Sequence, residues 1–313
     1  MSTPAPCYSS PVVPGLVQRH LVVRDGTRIG YQERPGAGPD APVVVLANGL
    51  GGTFEAFRHV YAALPGYRVL CWDYRGLYTS SPPEDPLANT VAHQVDDLVE
   101  ILGREHVERA VFVGWSMGVQ VVFELCRRHA ARVAGIVAIN GVSGRPFRTI
   151  LSMQFVERVI PVLLRMVKAQ AELVGRAAGV VAGSDALIAA MKRFGMVSRT
   201  LDEDAFRDVA ASFRTLDWAI YSDLLDRLNQ HDAEDVLPTI TAPTSIITGD
   251  KDILTPPATA ERIHRAITGS RLQVIRGGTH YTPVEYPAIV RDELHRLLAR
   301  VPGWQLQPAR AAI

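Results

Sequence analysis

The chain has 313 residues, 47% apolar and 21% charged, a balance that excludes a disordered, collagenous or fibrous protein. Lys plus Arg number 33 and Asp plus Glu 32, so the net charge of +1 offers no electrostatic footprint for nucleic acid or an anionic membrane. Three scattered cysteines, Cys7, Cys71 and Cys126, are odd in number and do not read as a disulfide framework.

Residues 1–15 read as an N-terminal tail. They lack the basic n-region and apolar h-region of a signal peptide. No run reaches the roughly eighteen apolar residues of a membrane span, so a soluble, cytoplasmic protein is expected. Residues 16–24 and 27–34 flank Asp25-Gly26, a hairpin signal, so the sheet should open on antiparallel edge strands. Short β-branched runs then alternate with helical patterns. Segments 43–47, 69–72, 110–113, 133–139, 245–248 and 272–275 read as buried strands. Segments 54–64, 91–102, 117–129, 258–266 and 286–301 read as the helices between them. This order predicts an α/β fold, a doubly wound, mostly parallel sheet with helices on both faces. The alternation stops from Ser143 to Pro238, where the pattern is nearly all helical. Residues 144–237 are therefore read as a helical cap insertion, 16–143 and 238–302 as the core, and 303–313 as a C-terminal tail.

Gly114-Trp115-Ser116-Met117-Gly118 is a G-x-S-x-G string between a strand and a helix. A sharp turn there needs residues without bulk on both sides of the serine. The helix beneath it offers unpaired N–H groups to a developing anion. A serine hydroxyl is a poor nucleophile unless an oriented base takes its proton. Of nine histidines, His106, His129, His264 and His295 lie in helical patterns. His280 instead follows Gly277-Gly278-Thr279 just past the last strand, at the carboxyl edge where parallel sheets gather functional groups. The loop after strand 245–248 supplies two candidate acids, Asp250 and Asp252, in the order Ser, Asp, His. The other conceivable acid position, after strand 133–139, holds uncharged Asn140.

Two N–H donors are needed for an oxyanion. Met117 should give one, and Leu50, in Asn48-Gly49-Leu50-Gly51-Gly52, the other. Gly49 and Gly51 fit the first two positions of G-x-G-x-x-G, but the third falls on Phe54, which argues against a dinucleotide site. No P-loop, H-E-x-x-H or paired C-x-x-C string exists, so no metal or cofactor is expected.

Together these residues resemble the α/β-hydrolase family, over nearly the whole chain outside the tail and the cap. The family's serine elbow matches Ser116. Its Gly-x-x-Asp acid loop matches Gly249 and Asp252, which favours Asp252 over Asp250, and its Gly-x-x-His loop fits Gly277 and His280. Its oxyanion loop usually reads His-Gly; here Asn48 replaces the His, a form that resembles enol-lactonase members. Its Asp-x-Arg-Gly-x-Gly-x-Ser loop matches Asp73, Arg75, Gly76 and Ser80, with Tyr78 in place of the second Gly; the loop reads as structural, and Tyr78 is a candidate to alter the pocket wall. Haloalkane dehalogenases and epoxide hydrolases of this family attack with aspartate, which Ser116 cannot imitate.

The resemblance implies a serine hydrolase cleaving carboxylic esters of small to medium, mainly apolar substrates through an acyl-enzyme. Lactonase, carbon–carbon hydrolase and cofactor-free perhydrolase or haloperoxidase-like activities are alternatives, with a non-catalytic ligand receptor behind them. Asn48, Trp115 and Leu254 are the candidate substrate contacts, although Trp115 reads first as a packing residue. The cap is rich in Met153, Phe155, Ile160, Leu163, Leu164, Met166, Met191, Phe194, Met196, Trp218 and Tyr221, which would pack it on the sheet or line an apolar pocket. The expected partner is a small-molecule ester or lactone, not nucleic acid or membrane, with a homodimer left open.

Overall fold

The computed structural model describes residues 13–149 and 183–305. Among them eight strands form one sheet: β1 (Val17–Val22), β2 (Arg28–Arg34), β3 (Val43–Ala47), β4 (Arg68–Trp72), β5 (Ala110–Trp115), β6 (Val133–Ile139), β7 (Thr244–Gly249) and β8 (Arg271–Ile275). Their spatial order is β1-β2-β4-β3-β5-β6-β7-β8. β1 pairs antiparallel with β2 and β2 with β4; every later pairing is parallel. This is the doubly wound, mostly parallel sheet with an antiparallel edge that the sequence pattern predicts.

The helices of the sheet region are α1 (Arg58–Ala62), α2 (Val91–Arg104) and α3 (Met117–His129). After the short α4 (Pro146–Thr149) come α5 (Asp185–Arg193), α6 (Glu203–Ser212) and α7 (Trp218–Gln230), in the stretch expected to form the cap. The chain then returns to the sheet with α8 (Pro257–Ala266), α9 (Thr282–Glu285) and α10 (Pro287–Arg300). Side chains of β5 alternate between the two faces, as a strand dictates. Ala110 and Phe112 join α2, α3 and α8 in one apolar cluster; Val111, Val113 and Trp115 join α1 and α10 in the other. Both faces are thus covered, and every residue of β5 and β6 is buried, which explains their unbroken apolar sequence.

The strand order reverses at β3, which lies between β4 and β5. Such a switch point opens a crevice beyond the carboxyl ends of the strands. Ala47 pairs with Gly114 there, so the loops after β3 and β5 leave the sheet side by side.

Asp and Ser side chains start the cap helices. Ser184 accepts from Leu187 N–H, Asp202 from Ala205 N–H, and Asp217 from Ala219 and Ile220 N–H. Ile188, Val197, Leu201 and Phe206 pack on Val284 of α9. Arg58 pairs with Asp208, and His59 Nε2 lies 2.8 Å from Asp202 Oδ2. Met191 packs beside the Ile188 cluster, whereas Phe194 is 76% and Met196 48% exposed. Met153, Phe155, Ile160, Leu163, Leu164 and Met166 lie outside the described residues. No helix among the described residues is long and apolar enough to cross a membrane.

Candidate active site

Ser116 sits between β5 and α3 at φ 54° and ψ −115°, a conformation that an L residue rarely adopts. The flanking glycines are obligatory. A Cβ on Gly118 would lie 2.0 Å from the Ala47 carbonyl oxygen, and one on Gly114 2.7 Å from the Gly118 oxygen. This close packing seats the start of α3 against the end of β3.

The last rungs of the sheet aim the other functional loops. Ser116 N–H donates to Ile139 O at 2.9 Å, Asn140 N–H to Ile247 O at 2.9 Å, and Asp250 N–H to Ile275 O at 3.0 Å. Three loops that are far apart in sequence therefore meet at one edge. His280 Nε2 lies 2.9 Å from Ser116 Oγ, and His280 Nδ1 lies 2.9 Å from Asp252 Oδ2. Asp250 turns elsewhere, accepting from Gly277 N–H at 2.7 Å.

Asp252 is buried and heavily hydrogen-bonded. Oδ2 also accepts from Thr255 Oγ1 at 2.6 Å and Asn140 Nδ2 at 2.7 Å. Oδ1 accepts from Leu254 N–H at 2.9 Å and Thr255 N–H at 2.8 Å. Burial would lift its pKa, but the facing His280 and the Thr255 donors outweigh that and hold the carboxyl below the usual carboxylate range. It is an ionised anchor for the imidazole.

The turn after β3 reaches the serine from the other side. Gly52 N–H donates to Gly49 O at 2.9 Å, and Gly51 adopts φ 75° between them. A Cβ on Gly49 would lie 3.3 Å from Ser116 Cβ, so the turn packs directly beside Ser116. Among the described residues neither Leu50 N–H nor Met117 N–H has a partner. Two free donors next to a serine can receive a carbonyl oxygen that gains charge.

The expected substrate contacts fall in different places. Trp115 is 6% exposed; its Nε1 donates to His280 O at 2.9 Å and its ring packs on the Gly49–Gly52 turn. Asn48 is 1% exposed; its Nδ2 reaches Cys71 Sγ at 3.1 Å and its carbonyl accepts from Tyr74 OH at 2.6 Å. Both side chains are engaged inside the protein, because the residue before the elbow and the last residue of the β3 turn's entry face inward. Leu254 is 40% exposed on the acid loop. Over the Gly49–Gly52 turn lie Phe213 and Tyr221, which a Cβ on Gly51 would meet at 3.0 and 2.9 Å. Trp218 packs beside Tyr221 at a tilt of 55°, with 5.3 Å between ring centroids.

Four supports went unforeseen. Thr255 and Asn140 hold the acid, Trp115 holds the histidine's carbonyl, and Glu285 holds the histidine loop from below. Glu285, fully buried, accepts from Thr279 N–H at 2.8 Å, Thr279 Oγ1 at 2.6 Å and Ser198 N–H at 2.7 Å. Only Thr255, three residues after Asp252, left a local signal, that of an Asx-type turn. Among the described residues no group of three or more His, Cys, Asp or Glu is placed to hold a metal ion.

Residues 42–287 match the profile of a family described as alpha/beta hydrolase fold. The chain belongs to the alpha/beta hydrolase fold family. "Putative carbamate hydrolase RutD" of Escherichia coli O7:K1 is 30% identical over 254 residues, covering 79% of this chain and 88% of that protein. "Epoxide hydrolase A" of Mycobacterium tuberculosis is 40% identical over 129 residues, but the match spans only 39% of that protein. Among solved structures, a hydrolase from Pseudomonas aeruginosa PA01 superposes with a TM-score of 0.72 at 24% identity, covering 90% of this chain and 98% of its own. The enol-lactonase from Burkholderia xenovorans LB400 does so with 0.70 at 23% identity, covering 90% and 100%. These two share the alpha/beta hydrolase fold with the chain. Hydrolysis is the chemistry that the family and these proteins have in common.

Proposed function

We propose that the chain is a serine hydrolase of carboxylic esters with small to medium, mainly apolar groups. Ser116 Oγ attacks the ester carbonyl carbon while His280 Nε2 takes its proton. The Leu50 and Met117 N–H groups receive the oxyanion, and Asp252 stabilises the imidazolium. His280 then gives the proton to the departing alkoxide, leaving an acyl group on Ser116. Water attacks that acyl-enzyme with the same histidine as base, releasing the acid and restoring the serine.

The observation that carries this reading is the continuous chain from Ser116 Oγ through both ring nitrogens of His280 to Asp252, with 2.9 Å at each link. Apolar substrates are favoured by the aromatic cluster over the Gly49–Gly52 turn: Phe213 and Tyr221 lie against Gly51, and Phe213, Trp218 and Tyr221 contact one another. Trp115 and Asn48 act as supports in this reading, since both are buried and bonded within the protein.

A panel of p-nitrophenyl esters of rising chain length, run with wild type and Ser116→Ala, tests the proposal. Ser116→Ala is expected to lower kcat by about 10³-fold or more while the protein stays folded. Full esterase activity in Ser116→Ala would end it. Carbamates are the second substrate class to include, because the Escherichia coli relative carries that name over most of its length. They present the same carbonyl to the same residues. Lactones belong on the panel beside them, since ring opening would use the identical machinery.

A further inference from the structure

The loop after β4 carries Tyr78 where the family pattern has glycine, and the residue turns at φ 50°. Glycine occupies that left-handed region without strain; a tyrosine does not. Neighbouring contacts hold the loop in place. Asp73 Oδ2 accepts from Thr79 N–H at 3.2 Å and from Thr79 Oγ1, Ser80 Oγ donates to Asp73 O at 2.7 Å, and Ser80 N–H donates to Leu77 O at 2.9 Å. None of these involves the Tyr78 side chain, whose ring packs against the apolar core.

The hydroxyl adds contacts that a phenylalanine would lack. It donates to Gly51 O and lies 3.1 Å from Ser212 Oγ. Gly51 belongs to the turn that presents Leu50 N–H, and Ser212 ends the cap helix α6. The phenol therefore joins three segments: its own loop, the oxyanion turn and the cap. Ser212 Oγ also donates to Val209 O at 2.6 Å. Two hydroxyl protons thus serve three contacts, so Ser212 donates either to its own helix or to Tyr78. The end of the cap helix and the oxyanion turn share one hydroxyl pair.

We propose that Tyr78 is a positioning residue whose hydroxyl fixes the Gly51 carbonyl, and with it the aim of Leu50 N–H, in register with the cap. This rests on the acyl-hydrolase reading, because the Leu50 N–H has this role only toward a tetrahedral oxyanion.

The test compares full-length wild type, Tyr78→Phe, Tyr78→Gly and Ser212→Ala. Turnover of p-nitrophenyl butyrate is measured beside inhibition by a trifluoromethyl ketone, which adds Ser116 to form a stable oxyanion. Tyr78→Phe should lose about 10-fold in kcat with KM nearly unchanged, and ketone affinity should fall by the same factor. Ser212→Ala should move both in the same direction by less. Tyr78→Gly, which relieves the backbone strain and serves if the Phe variant fails to fold, should lose kcat as the Phe variant does. A purely structural role would lower the melting temperature without linking kcat to ketone affinity. If Tyr78→Phe keeps both values while a fluorophosphonate labels Ser116 in the wild type, the positioning role is overturned and the serine mechanism stands. A wild type that neither turns over the ester nor takes the label overturns both.

Discussion

Asp252→Asn exchanges one oxygen for an NH₂ with almost no change in volume, so its effect can be worked from the surrounding donors. Oδ2 accepts from His280 Nδ1 at 2.9 Å, Asn140 Nδ2 at 2.7 Å and Thr255 Oγ1 at 2.6 Å. Oδ1 accepts from two backbone N–H groups, of Leu254 and Thr255. A carboxamide cannot satisfy all five. With its NH₂ at the Oδ1 position it faces both backbone donors, and neither can turn away. With its NH₂ at Oδ2 it faces Asn140, which is held by Thr279 O at 3.1 Å and by the Thr282 hydroxyl. The two other neighbours there can adapt: Thr255 rotates its hydroxyl, and His280 moves its proton from Nδ1 to Nε2. The second orientation leaves one opposed donor rather than two, an advantage of about 1–3 kcal/mol.

That orientation disables the base. His280 then carries its proton on Nε2, the nitrogen 2.9 Å from Ser116 Oγ, and cannot accept the serine proton. The wrong tautomer and the lost carboxylate charge should together lower kcat by about 10⁴-fold, with KM changed only a few-fold. The opposed buried donor costs about 1–3 kcal/mol, a drop of several degrees in melting temperature. Asp250→Asn is the control, since Asp250 bonds Gly277 N–H rather than the imidazole; it should lose less than about tenfold in kcat. Steady-state hydrolysis of p-nitrophenyl butyrate reads both. An Asp252→Asn enzyme keeping about a tenth of wild-type kcat would refute the tautomer account.

Three further outcomes follow from particular contacts. Gly118→Ala places a methyl carbon 2.0 Å from Ala47 O and 2.9 Å from Asn48 O, both backbone atoms, so it should cost at least about 3 kcal/mol, read as a collapse of melting temperature; a normal value would contradict the packing. Trp115→Phe removes the indole donor from His280 O and should lower kcat by about tenfold, because the loop carrying the base loses a buried hydrogen bond; unchanged turnover would make the indole mere filler. Burial raises the Asp73 carboxyl from 3.8 to about 6, despite the Thr79 hydrogen bonds. Its folded-state pKa exceeds the unfolded value, so its contribution to stability is present below pH 3.8 and is lost as pH rises through about 6. Asn cannot ionise, so Asp73→Asn should gain on wild type by about 3 kcal/mol from about pH 4 to 7; urea unfolding at both values showing a constant gap would contradict this.

The sheet was largely legible because its signals are local. Segments 43–47 and 133–139 are continuous apolar runs, and they coincide with β3 and β6. The helix expected at 54–64 instead divides into a 3₁₀ turn, Phe54–Phe57, and α1. Thr53 precedes it without a side-chain cap: its hydroxyl bonds the Glu55 carboxylate instead of a backbone N–H. Ser116 and His280 stood out because each follows a strand at the carboxyl edge. The choice between Asp250 and Asp252 was different. Residue type alone does not separate them; the Gly-x-x-Asp resemblance favoured Asp252, and in the structure Leu254 and Thr255 turn around that carboxylate. Asn140 was set aside as the acid because it carries no charge, and its supporting role was not visible. It is no acid, yet its amide donates to the acid. Asn48 was expected to face substrate, whereas Trp115, named as a candidate contact but read first as a packing residue, is buried as that reading has it. Sequence adjacency does not specify direction, and in an alternating strand the residue before the elbow points into the opposite layer.

The supports of the site share a pattern that bears on the cap. Glu285 accepts from Thr279, the residue before His280, and from Ser198 N–H in the stretch between α5 and α6. Asp202 N–H donates to Val284 O at 2.9 Å in the same region. On the other side, Tyr78 ties the oxyanion turn to Ser212 at the end of α6. The base loop and the oxyanion turn are therefore each bonded to the segment that also brings Phe213 and Tyr221 over the site. A cap held this way is more than a specificity cover. Moving it would displace Ser198 and Ser212 together, and under the proposed mechanism that would shift the loop of the base and the turn of the oxyanion donor. Exchanging cap segments to change substrate range should for that reason alter kcat as well as KM, because the groups that recognise the substrate and the groups that position the chemistry hang on the same hydrogen bonds.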